Sequence, residues 1–122
     1  SNPSNISQMA ALEALTGPQD SVKSMVKAFD ERRKFVHKRL NSIDGISCIE
    51  PEGAFYAFPN VEETGIDSMD FASRLLDEAL VAVVPGAAFG MEGHVRLSYA
   101  ASMHELEKGL DRIEKWLNKI KN

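Results

Sequence analysis

The sequence predicts an α+β domain built as a two-layer sandwich, a small, mostly antiparallel sheet with helices on one face. Three observations lead there. Helical and strand-type segments follow one another as helix, long helix, strand, strand, helix, strand, strand, helix. In the run Val95–Ala100, alternation separates Val95, Leu97 and Tyr99 from His94, Arg96 and Ser98, as a strand with one buried face requires. The last segment repeats Leu106, Leu110, Ile113, Leu117 and Ile120 at helical spacing, a single stripe to lay on that sheet.

At the N-terminus Ser4 or Asn5 can cap a helix that includes Ile6, Met9, Ala10, Leu12, Ala14 and Leu15. These residues wrap round more than one stripe, so the segment is expected to bury itself at an interface. Thr16-Gly17-Pro18 breaks it, and Pro18 suits the first turn of the next helix. From Asp20 to Ser42, Val22, Met25, Val26, Phe29, Val36, Leu40 and Ile43 mark one face. Glu31, Arg32, Arg33, Lys34, Lys38 and Arg39 are read as its solvated remainder. Asp44-Gly45 ends this helix.

Ile46–Glu50 and Ala54–Phe58 are strand candidates about the turn Pro51-Glu52-Gly53. Asp67 caps a helix bearing Phe71, Ala72, Leu75, Leu76, Ala79 and Leu80. Two apolar runs, Val81–Val84 and Val95–Ala100, then flank a loop with Gly86, Gly90 and Gly93. Ser102-Met103-His104-Glu105 fits a capping box before the final helix, with Trp116 at the edge of its stripe.

The 122 residues suit one domain, 43% hydrophobic and 26% charged, an ordinary globular balance. A formal charge of −4 argues against nucleic acid or an anionic membrane as partner. No apolar run approaches the roughly 20 residues that span a bilayer, and the start lacks a signal-peptide pattern. Cys48 is the only cysteine; it excludes an internal disulfide, leans toward the cytoplasm and reads as a small buried side chain.

Little of the remaining chemistry coheres. The glycines fit neither the dinucleotide fingerprint nor a P-loop, and the loop reads as a connection needing positive φ. His37, His94 and His104 are scattered, so no metal site is expected. Ser98, Ser102 and Cys48 lack an activating base, and no catalytic set can be assembled. Arg96 remains. On a rigid strand its guanidinium could grip a carboxylate or phosphate with two prongs; equally, it could pair with an acid of this chain or end in solvent.

SNPSNISQMAALEAL, PEGAFYAFPNV, VAVVPGAAFG and VRLSYA, in this order and spacing, resemble the C-terminal part of class I/II aminotransferases, fold-type-I enzymes of the bacterial aspartate aminotransferase type. The resemblance covers essentially the whole chain. It implies a pyridoxal 5′-phosphate (PLP) enzyme moving an amino group between an L-amino acid and a 2-oxo acid, cytoplasmic and homodimeric. It divides the chain into an interface segment, 1–17, leading from a large domain that is absent here, and a small domain, 18–122. Arg96 matches the arginine that holds the substrate's α-carboxylate. Gly53 matches a point of close approach, and Phe55 a residue lining the substrate side. Ser1 and Asn2 match a segment near the cofactor phosphate of the neighbouring subunit. The Schiff-base lysine belongs to the large domain, so this piece should carry no catalytic residue, bind no PLP productively and be inactive alone. Two other readings stand beside this one: a stand-alone regulatory module binding an amino acid through Arg96, and the small domain of another fold-type-I PLP enzyme such as a lyase.

Overall fold

A computed structural model describes residues 2–121. The elements are α1 (Asn5–Thr16), α2 (Asp20–Leu40), β1 (Tyr56–Ala57), α3 (Ser68–Ala79), β2 (Val84–Pro85), β3 (Val95–Ser98) and α4 (Met103–Ile120), with short 3₁₀ turns at Glu62–Thr64 and Gly86–Phe89. The sheet runs β1-β3-β2 and both pairings are antiparallel. Tyr56 faces Ser98, and Val84 faces Arg96. The expected α+β architecture is therefore present.

Alternation along β3 works as its sequence implies. Val95, Leu97 and Tyr99 are buried; Arg96 is half-buried and Ser98 exposed. With Ala57 they form the inner face of the sheet. Phe71 and Leu75 of α3 and the stripe Leu106, Leu110, Ile113 and Leu117 of α4 join the same core. Transfer of this apolar surface out of water is the main stabilising term. Trp116 is 4% exposed, so it belongs to the core and not to its edge. Its ring meets Phe71 edge-on at 5.1 Å, and its indole N–H donates to Glu78 at 2.9 Å.

The caps follow the sequence closely. Ser4 Oγ accepts from the Ser7 amide, Asp67 accepts from the amides of Met69 and Asp70, and Ser102 Oγ accepts from that of Glu105. Pro18 lies outside α2, whose N-cap is Gln19.

Two strand expectations fail. Ile46–Glu50 makes only one bridge, Ser47 with Asn60. Its neighbouring backbone is taken by a side chain: the Asn41 amide accepts from the Cys48 N–H and donates to the Cys48 carbonyl, both at 2.9 Å. Of Val81–Val84, only Val84 enters the sheet. Leu80 caps α3 at φ 57°, and the Val81 N–H bonds back to the Leu75 carbonyl, so the chain is still closing the helix there.

The charged face of α2 is not merely solvated. Arg39 reaches α4 and pairs with Asp111 at 2.8 Å and Glu114 at 3.1 Å. Arg33 pairs with Asp30 and Glu50 and donates to the Pro51 carbonyl. Both are held by acids of this chain. Nor does the apolar face of α2 pack along its whole length: only Val36 and Leu40 are buried on it, while Val22, Met25 and Val26 are exposed. Packing begins near Phe29, which lies against the core.

Candidate functional site

β3 is the central strand, and Arg96 stands on the face turned away from the helices. Its guanidinium carbon lies 4.4 Å from the centre of the Tyr56 ring and 4.4 Å from that of Phe89. Tyr56 comes from β1 and Phe89 from the turn after β2, so one ring arrives from each side of the central strand. Among the described residues Arg96 has no ion pair and no hydrogen bond from its side chain. Its donors are thus uncommitted, next to apolar ring faces that attract a cation without neutralising it.

Two devices fix this strand against its neighbours. First, the loop before it is sewn to itself: the Gly86 N–H donates to the His94 carbonyl at 2.7 Å, and the Met91 N–H to the Gly86 carbonyl at 3.0 Å. A Cβ on Gly86 would lie 2.2 Å from the Met91 carbonyl oxygen and 2.4 Å from that of His94. Gly86 is therefore needed for close approach, whereas Gly90 and Gly93, both at φ 74°, supply the positive φ the sequence suggested.

Second, Glu92 ties the loop to the start of α3. Its carboxylate accepts from the Ser68 N–H at 2.6 Å, the Ser68 hydroxyl at 2.9 Å and the Gly93 N–H at 3.0 Å. These bonds, from Gly93 first and then Ser68, hold the Glu92 carboxyl below its ordinary range. A depressed carboxylate stabilises the fold above the unfolded-state value and loses that contribution as the pH drops through the folded one. Glu92→Gln is therefore expected to lower the urea midpoint at neutral pH, with the gap to wild type closing below about pH 4.3, the ordinary glutamate value. A gap independent of pH would contradict this role.

Gly53 and Phe55 sit at the mouth of a neighbouring groove of about 410 Å³, lined also by Phe29, Ala54 and Tyr99. The Phe55 ring lies tilted at 44° against Tyr56 with centroids 4.5 Å apart, so it reaches Arg96 through one intervening ring. Among the described residues nothing lies within 4 Å of a Cβ built on Gly53. Ala54 adopts φ 57°, a costly conformation for a residue with a Cβ. Tyr99 holds it there: its hydroxyl donates to the Ala54 carbonyl at 3.0 Å and its N–H to the Phe55 carbonyl at 2.9 Å.

Asn2 is exposed, ahead of a helix that buries no side chain on this domain, and Ser1 lies outside the described residues. Cys48 is buried, and that burial pushes its thiol up, away from reactivity. His94 stacks on Phe58 with centroids 5.3 Å apart. Among the described residues no three His, Cys, Asp or Glu side chains gather as metal ligands, and no helix is long and apolar enough to cross a membrane. Tyr56 and Phe89 are the site residues the sequence reading missed. Tyr56 could have been found from alternation in Ala54–Phe58; Phe89 sits in an aperiodic turn.

The profile of the family described as "Aminotransferase class I and II" matches residues 1–113. An aspartate aminotransferase of Bacillus sp. (strain YM-2) is 47% identical over 122 residues, covering 96% of this chain and 31% of that protein. The crystal structure of the aspartate aminotransferase from Rhizobium meliloti superposes with a TM-score of 0.90 at 43% identity, covering 97% of this chain and 32% of the other. The alanine aminotransferase from Pyrococcus furiosus gives a TM-score of 0.91 at 40% identity, covering 96% and 30%. The chain thus spans about a third of the length of the relatives it matches.

Proposed function

The chain belongs to the class I and II aminotransferases, and from that membership we propose that it is the carboxylate-binding small domain of a PLP-dependent aminotransferase. In this reading residues 18–122 form the small domain and 1–17 an interface segment. The remainder of the enzyme lies in a large domain. The observation that carries the reading is Arg96: a half-buried guanidinium on the central strand, flanked by two rings and engaged by no acid among the described residues.

The chemistry asks for such a group. An amino acid or 2-oxo acid presents a planar carboxylate, and a guanidinium fork binds both oxygens in one orientation, which a lysine ammonium does not. Fixing the carboxylate fixes the direction of the bonds at Cα, and that orientation is what the small domain contributes. Gly53 and Phe55 are proposed to border the substrate from the adjoining groove, and Asn2, with Ser1, to reach a neighbouring subunit's cofactor phosphate.

PLP itself is not accommodated by this chain alone. No lysine occurs between Lys38 and Lys108, so neither the sheet nor its loops offers a Schiff-base partner. Lys23, Lys34 and Lys108 pair with Asp20, Asp30 and Glu105 in their own helices. The cofactor, an electron sink when bound, is assigned to the large domain. The isolated chain is accordingly expected to be inactive, and the full-length enzyme is placed in the cytoplasm.

Incubating the full-length protein with a panel of amino-acid donors and 2-oxo acids tests the assignment. Transfer of the amino group is expected for at least one pair; none from a PLP-loaded protein would overturn it. The relatives are named for aspartate and for alanine, so the preferred donor is read from the panel.

The homodimer belongs to the same proposal. Along α1, Ile6 is 84% exposed, Met9 64%, Leu12 53% and Leu15 83%. So much apolar surface on one short helix suits a contact with another chain or domain. The isolated chain is expected to self-associate in sedimentation at high concentration, and Ile6→Glu with Leu12→Glu to shift it toward monomer. A monomer at every concentration would count against the interface.

A further inference from the structure

Resting on the carboxylate reading of Arg96 and deepening it, we propose that Tyr56 and Phe89 are positioning residues, an aromatic clamp that fixes the guanidinium while leaving its charge and its N–H groups to the substrate carboxylate. The contrast with Arg33 and Arg39 carries this, while Arg32 meets a single ring, Phe29, at 5.2 Å. Arg33 and Arg39 are held by Asp30, Glu50, Asp111 and Glu114, acids that occupy the donors and cancel the charge. Arg96 has two ring centres at 4.4 Å instead. A ring face attracts a cation through its quadrupole but accepts none of the in-plane N–H groups a carboxylate needs.

The clamp is itself braced at both ends. Tyr56 rests on Phe55 at 4.5 Å. Phe89 meets Phe58 edge-on at 6.1 Å, and Phe58 stacks on His94. The two rings are thus each in contact with an aromatic neighbour, with Arg96 between them. A long, flexible side chain otherwise loses rotamer freedom on binding substrate; holding it beforehand removes that cost from the binding step.

The test uses the full-length, PLP-loaded protein and the ratio of kcat/KM for its preferred amino-acid donor to that for the amine lacking the α-carboxylate. Tyr56→Met and Phe89→Met keep apolar volume and remove the ring. Each is expected to lower the ratio about two- to thirtyfold, the worth of one cation–π contact, while Tyr56→Phe stays near wild type. In an Arg96→Ala background the ring variants should change the ratio no further. Activity toward the amine reports folding. If it collapses in the methionine variants, Phe89→Tyr and Tyr56→Trp, which retain a ring, must preserve the ratio. Loss of discrimination in Arg96→Ala, with the ratio unchanged in methionine variants that keep their activity toward the amine, or lowered in the variants that retain a ring, would overturn the clamp and leave the carboxylate reading standing. Discrimination retained in Arg96→Ala would overturn that reading, and the clamp with it.

Discussion

Replacing Arg96 by alanine in the full-length protein is expected to reduce kcat/KM for amino-acid donors about a hundredfold or more, while PLP remains bound. Truncating one partner of a desolvated, hydrogen-bonded charge pair costs about 2–5 kcal/mol, and a hundredfold corresponds to about 2.7 kcal/mol. The loss should fall on both kcat and KM, because the fork binds the substrate and also orients its Cα bonds. Arg96→Lys should recover only part of it, since an ammonium restores charge without two-pronged geometry. Fold stability should change little by comparison: Arg96 contributes no ion pair among the described residues, only its contacts with Tyr56 and Phe89. Steady-state kinetics with the cofactor absorbance followed in parallel checks this, and unchanged turnover would remove the assigned role.

Gly86→Ala is expected to be the most damaging single-methyl addition in the loop. Its Cβ would fall 2.2 Å from the Met91 carbonyl oxygen and 2.4 Å from that of His94. Both are backbone atoms in a hydrogen-bonded loop, so relief requires moving the segment immediately before β3. Overpacking costs about 1–3 kcal/mol where side chains can yield; here the cost should reach or exceed the upper figure. Displacement of His94 would also carry Arg96 out of place, so activity and stability should fall together. Gly53→Ala is the matched control, because its Cβ would meet nothing within 4 Å of this chain. Its unfolding free energy should stay within about 0.5 kcal/mol of wild type. A tolerated Gly86→Ala would contradict the close approach.

Legibility in the sequence followed the range over which the forces act. The caps at Asp67 and Ser102 and the stripe of α4 depend on residues a few positions apart and are found as read, while of the two cap candidates at the N-terminus the structure takes Ser4 and puts Asn5 inside the helix. The faces of β3 were legible for the same reason, because alternation is local. Ile46–Glu50 misled because a single side chain, Asn41, outcompetes a strand partner for the Cys48 backbone. The exposed first half of α2 misled because Val22, Met25 and Val26 carry the pattern of a buried face that none of the described residues covers. Arg96 stood out by its residue type and strand. What surrounds it did not, since the rings of Tyr56 and Phe89 meet it only through cross-strand pairing and an aperiodic turn.

The substrate's acid group is expected to rest on the guanidinium of Arg96. The most direct measurement is a crystal structure of the full-length protein, PLP-loaded, with its amino acid or 2-oxo acid bound. Two guanidinium nitrogens of Arg96 are expected about 2.7–2.9 Å from the two α-carboxylate oxygens, with Tyr56 and Phe89 still flanking the fork. An α-carboxylate bound to a different cation, with Arg96 turned to solvent or to an acid of its own chain, would contradict the account.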